Sequence, residues 1–189
     1  GTKDTSLSYL GSHLVFKIDP KTTQNLKSFC KKKGVTFFTL LITCYKLLLH
    51  RIFHFEDFAV ATALAARSHR KFLKTIGMMV NTLPIRSKIE SDPLFRKYLE
   101  QVKGKVLACF ANQDYPFDQV LSELGEGRGE GDKSILNTLF ILENFPLPDI
   151  GEDSLSASLL VDKPDASVRG TAKFDLSLIY FINLIMDDH

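Results

Sequence analysis

The 189-residue chain sets 24 Lys and Arg against 22 Asp and Glu, a formal charge of +2, so no strong field points to nucleic acid or an anionic membrane. Hydrophobic residues at 44% and charged residues at 24% give the balance of a globular domain with a sizeable core. Cys30, Cys44 and Cys109 show no CxxC spacing and no paired histidines at ligand spacing, and they read as reduced, mostly buried thiols of a cytoplasmic protein rather than a metal framework.

Residues 1–11 are polar and are expected to form a flexible N-terminal segment, with a single folded unit over 12–189. His13–Ile18 alternates as a strand does. Asp19-Pro20 then starts a helix with Leu26, Phe29 and Cys30 on its apolar face, and Gly34 ends it. The lysines at 31–33 fit a solvated helix end. Thr36 caps a second helix that is apolar nearly all round, which places it mid-domain. Lys46, His50 and Arg51 interrupt the apolar stretch from Thr36 to Phe55, so a buried helix explains it better than a membrane span.

Phe58–Leu64 has the length of a buried strand, and Met78–Ile89 reads as another. Pro84 lacks an N–H and marks an edge or a break. Asp92-Pro93 caps an amphipathic helix through Phe110, and Pro116 opens a short one through Leu124. Four glycines between Gly125 and Asp132 make a mobile loop, and Phe145–Gly151 is turn-rich. Ile135–Leu142, Leu155–Val161 and Lys173–Ile182 are strand-like. Helices alternating with strands, then strands clustered late, predict an α/β fold with a mixed sheet packed with helices in a two-layer sandwich.

The general catalytic signatures do not match. There is no GxSxG elbow, no P-loop and no HExxH, and the glycines before Asp132 are not followed by GK[ST]. His50 and His54 share a helix spacing without further ligands and read as surface or helix-end histidines.

Three segments carry more. Ile76-Gly-Met-Met-Val-Asn-Thr-Leu-Pro-Ile-Arg86 resembles the IGxFVNTLxxR motif of nonribosomal peptide synthetase condensation domains. Asn112-Gln-Asp-Tyr-Pro-Phe-Asp118 resembles their (H/N)QDxPFE motif, and Ser134–Phe140 more loosely their SRNPLFQ motif. Thr36–Ile42, Asp57–Arg67 and Lys173–Leu178 are similar to the family's TLFxxLL, DIVVGTPxAGR and KFDLxL segments. The resemblance covers nearly all of the chain in family order. Ala61, Ala63 and Ala66 depart from the usual Gly, Pro and Gly, Met79 from Phe, and Thr138 from Pro.

The resemblance implies one lobe of a chloramphenicol-acetyltransferase-like pair, the C-terminal one, and amide formation between carrier-bound aminoacyl or peptidyl thioesters. It implies no directly bound cofactor; the substrates ride on phosphopantetheine arms of partner carriers. It implies as partners the N-terminal lobe, peptidyl carrier domains and an adenylation domain. This chain has no HHxxxDG, so no catalytic residue is assigned here, and alone it is expected to make no amide bonds. By position Arg67 resembles the arginine that pairs with the aspartate of HHxxxDG; the plainer reading is a solvated arginine before a basic loop. Arg86 is a second candidate at a strand end. Asn81 and Thr82 face the substrate tunnel or satisfy backbone groups near a turn. Asn137 matches an asparagine near the acceptor side. Gln113, Asp114 and Tyr115 would cap the helix opened by Pro116 and Phe117, and Asp175 would be structural. The chain stops short of the family's final strand, so self-association through an open sheet edge is expected. A degenerate carrier-docking module, or a lobe of a related CoA- or carrier-dependent O-acyltransferase, are the rival readings.

Overall fold

The computed structural model describes residues 11–12, 14–65, 75–77, 79–90, 92–124, 136–143 and 174–181. Helix α1 (Pro20–Lys33) starts where the Asp19 carboxylate accepts the Thr22 N–H at 2.8 Å. It stops at Gly34, whose φ of 61° is a left-handed conformation that glycine adopts without a side-chain clash. The Thr36 hydroxyl caps α2 (Phe37–Phe53) by accepting the Thr39 N–H at 3.0 Å. Strands β1 (Asp57–Ala65) and β2 (Val80–Lys88) follow, then helices α3 (Phe95–Ala111) and α4 (Phe117–Glu123), then strands β3 (Thr138–Glu143) and β4 (Leu176–Phe181).

The sheet order is β2-β1-β3-β4. β1 and β2 are antiparallel from Asp57↔Lys88 to Ala65↔Val80, whereas β1 meets β3, and β3 meets β4, in parallel. This is the mixed sheet packed with helices that the element pattern predicts. Pro84 sits in β2, an edge strand among the described residues, where a missing N–H costs no ladder bond on the outer side.

Helices α2 and α3 dock on the sheet face that carries Val60, Ile85 and Phe140. Ile42, Tyr45 and Leu49 of α2 and Tyr98, Val102 and Val106 of α3 close the core from above. Phe140 anchors it, with the Phe38 ring at 5.4 Å and the Tyr45 ring at 5.9 Å. A second cluster of Cys30, Val35, Leu40 and Leu99 holds α1 against α2 and α3.

One buried polar pair crosses this core. The Ser87 and Tyr98 hydroxyls lie 2.8 Å apart and tie α3 to β2, and burial pushes the Tyr98 phenol up to about 12. Tyr98→Phe is expected to cost ~1–2 kcal/mol, because the Ser87 hydroxyl loses its partner inside the fold. In urea unfolding, the double variant with Ser87→Ala should recover part of that loss.

The structure corrects several sequence expectations. Residues 14–19 form no strand: Leu14 and Phe16 are 86% and 65% exposed, and the described sheet does not include them. A strand needs a neighbouring ladder as well as alternation. Asp92-Pro93 does not cap α3; Leu94 is extended at the N-cap with no side-chain cap bond, so the helix begins two residues after the proline. Helix α2 is not enclosed all round, since Leu48, Ile52 and Phe53 are about half exposed while α1 covers only its first turns. Cys44 is likewise exposed, although all three cysteines are free. The expected strand at Leu155–Val161 and the loop at Gly125–Asp132 lie outside the described residues, as does almost all of the segment 1–11. Among the described residues no single helix is long and apolar enough to cross a membrane.

Candidate functional site

Asn81 is the second residue of β2 and is half-buried. Its Nδ2 donates to the Gln113 and Tyr115 carbonyls, each at 2.8 Å. Its Oδ1 accepts the Thr82 N–H at 3.0 Å and the Phe117 N–H at 3.4 Å. Both donors and both acceptor positions of the amide are therefore spent on backbone. The α3–α4 link is sewn to the head of β2, and the first N–H of α4 is capped by a side chain from another element. No side chain from Gln113, Asp114 or Tyr115 caps α4, which starts after Pro116 without a local cap bond.

At the other end of the β1–β2 ladder, Arg86 grips Asp57. Nε donates to Oδ1 at 2.8 Å and the second guanidinium nitrogen to Oδ2 at 2.9 Å, a fork-to-fork contact. The Arg86 hydrogen bond holds the Asp57 carboxyl below its usual range, and Asp57 in turn raises Arg86. Their side chains are 74% and 41% exposed, so water screens the pair and it aligns the strand ends more than it stabilises the fold.

Asn137 precedes β3 and is not brought to Asn81. The Ala61↔Leu139 bridge places it beside the start of β1, whereas Asn81 pairs with Leu64 near the end. Its carbonyl accepts the Asp175 N–H at 2.9 Å, which sets the head of β4. With Phe55, Asp57, Phe58, Ala59 and Thr138 it lines a small open cleft of about 220 Å³. Thr82 lies next to Asn81 and pairs with Ala63; Asp114 and Pro116 are exposed on the link and Phe117 is half-buried. Arg67 lies outside the described residues. Among the described residues no group of three or more His, Cys, Asp or Glu is placed to hold a metal ion.

Residues 2–185 match the family model described as "Condensation domain". The chain belongs to the condensation-domain family. It is 34% identical over 174 residues to Gramicidin S synthase 2 of Brevibacillus brevis, covering 91% of this chain and 4% of that protein. It is 33% identical over 168 residues to Bacitracin synthase 3 of Bacillus licheniformis, covering 89% of this chain and 3% of the other. Among solved structures, a four-domain nonribosomal peptide synthetase bound to AMP and glycine aligns with TM-score 0.68 at 24% identity, over 72% of this chain and 10% of that one. The condensation domain of the monacolin K polyketide synthase MokA aligns with TM-score 0.63 at 19% identity, over 75% of this chain and 34% of that one. The condensation-domain chain described here thus spans a few per cent of those synthases and about a third of that condensation domain.

Two side chains knit three of the condensation-domain segments together. Asn81 and Arg86 both come from Ile76–Arg86; Asn81 holds Asn112–Asp118, and Arg86 holds the first residue of Asp57–Arg67. Sequence reading missed Asp57 as the partner of Arg86. The only signal was that each stands at the end of a strand-like run, and the pairing appears once the antiparallel register is known. It also missed Lys46, the lysine buried under this sheet.

Proposed function

We propose that this chain is the C-terminal lobe of a condensation domain that forms amide bonds in a nonribosomal peptide synthetase. The amine of an acceptor aminoacyl thioester attacks the donor thioester carbonyl; the C–N bond forms, the C–S bond breaks, and the donor thiol leaves. What carries the reading is 34% identity to Gramicidin S synthase 2 across 91% of the chain, with the family segments joined in space by Asn81 and Arg86. The partners are the N-terminal lobe, carrier domains whose phosphopantetheine arms bring both substrates, and an adenylation domain of the same assembly. The setting is the cytoplasm, which the three free cysteines support. In this reading Arg67 anchors the histidine loop of the other lobe through its aspartate. Asn81 shapes the wall near that junction by fixing the α3–α4 link and does not touch substrate.

The chain alone is expected to be inactive. Without a second lobe there is no tunnel to hold two thioesters, and well-held reactants contribute up to roughly 7–11 kcal/mol. A missing base removes about a further 10²–10⁴-fold. The test is amide formation between two loaded carrier domains, with this chain alone and with the chain joined to a lobe carrying HHxxxDG. Product from the joined protein only is the expected result. Product from the chain alone overturns the lobe reading. Product from neither, with carrier binding retained, replaces it with a docking module.

A further inference from the structure

Lys46 lies in the middle of α2 with 0% exposure. Its Nζ donates to the Phe58 carbonyl at 3.3 Å and sits 4.4 Å from the centroid of the Phe58 ring. An ammonium has three N–H donors, and one carbonyl and one ring face do not replace the water it would lose. Among the described residues no carboxylate is a dedicated counter-ion. Among the described residues the carboxylate that acts on it is Asp57 of β1, which is already forked by Arg86, with Lys88 of β2 also drawing on it. From α3 comes Cys109, whose thiol burial pushes up and which donates to the Pro84 carbonyl. His50, one turn on along α2, binds the Phe55 carbonyl. α1 packs Cys30 beside Leu40, and β3 carries Glu143 at its far end.

We propose that Lys46 is a proton-sensitive lock on the seam between α2 and β1: packed as an uncharged amine it closes the seam, and proton uptake in place loosens it. Burial brings the Lys46 ammonium down to about 7 from its ordinary 10.5. Between those values the unfolded chain holds a proton that the folded chain has released, so stability rises with pH across this window. It is lost as pH falls from about 10 toward 7, and below that the penalty is constant. The expected slope is up to about tenfold in the unfolding constant per pH unit. The inference stands whatever reaction the whole protein performs.

The test is urea unfolding of the 189-residue chain and of Lys46→Met at about pH 7.5 and about pH 9.5. Other titrating groups are common to both, so the difference isolates Lys46. The unfolding constant of the native chain is expected to fall about 100-fold more than that of Lys46→Met over those two units. Parallel responses overturn the proposal. Should the variant not fold, the ¹³C shift of the Lys46 ε-carbon in the native chain decides. A midpoint near neutrality supports the lock, and one near 10.5 overturns it. Amide exchange at Val60, corrected for intrinsic rate, must speed up on acidification more than exchange at Ile179; equal responses overturn the assignment to this seam.

Discussion

Replacing Phe140 by alanine is expected to be the most damaging single change in the described core. The ring is 0% exposed and fills the space between Phe38 and Tyr45, above a strand that joins β1 to β4. Alanine there loses the transfer energy of the ring and leaves a cavity that three converging elements cannot collapse into. The cost is ~3–5 kcal/mol. Domains of this size are stable by about 5–15 kcal/mol, so a large part of the margin goes. Chemical unfolding measures it, with Phe140→Leu as the reference that keeps most of the volume. Phe140→Leu should lose less than half as much. A Phe140→Ala loss under about 1 kcal/mol would show that the ring is not the centre of the core.

The second large effect is expected at Asn81. Asn81→Asp preserves size but removes both donors, so a carboxylate faces the Gln113 and Tyr115 carbonyls that the amide now serves. The two acceptor contacts survive, and like dipoles oppose where bonds stood. We expect a cost of about 2 kcal/mol at neutral pH, above that of Asn81→Ala. The pH dependence distinguishes a lost donor from lost bulk. The carbonyls disfavour the ionised form, so the introduced carboxyl has a folded pKa above its unfolded value of about 3.9. Protonated, it regains one donor. Its contribution is therefore present at acid pH and lost as pH rises through the folded pKa, so the Asp variant, weaker than Ala at neutral pH, should become the more stable of the two in acid. Amide exchange in α4 reports the same event, because the link that leads into it is no longer held at the Gln113 and Tyr115 carbonyls. Equal stability of Asn and Asp at neutral pH would mean the four bonds do not hold the link.

Much of the fold was legible in the chain. Asp19-Pro20, Gly34 and Thr36 punctuate α1 and α2 by local chemistry, and each does what its type dictates within three residues. The strand within Met78–Ile89 and the short helix after Pro116 were likewise readable from local pattern. What could not be read is long-range. Asn81 caps a helix 36 residues away, and Arg86 meets Asp57 29 residues away, only because of a register that no local pattern encodes. Asp92 failed as a cap because cap chemistry depends on backbone that Leu94, two residues on, sets instead. The alternation at 14–18 identifies a segment able to be a strand, and pairing depends on a partner elsewhere. Lys46 inverts the usual rule, since a lysine in an apolar helix reads as the solvated side, and here it points into the core.

The sheet order also sets a timetable for synthesis. β1 can pair with β2 as soon as Lys88 has left the ribosome, because the two strands are close in sequence and antiparallel. Its other flank is reserved for β3, joined at Ala61↔Leu139, so that flank waits while the 77 residues from 62 to 138 are made. At ~5–20 residues per second this interval is roughly 4–16 s. Throughout it the central strand presents an apolar, hydrogen-bond-hungry border to whatever is nearby, including a second nascent chain on the same message. The Asn81 stitch closes soon after Phe117 emerges and so precedes that final zipping. Productive yield should then depend more on how fast residues 89–139 are translated than on the finished protein's stability.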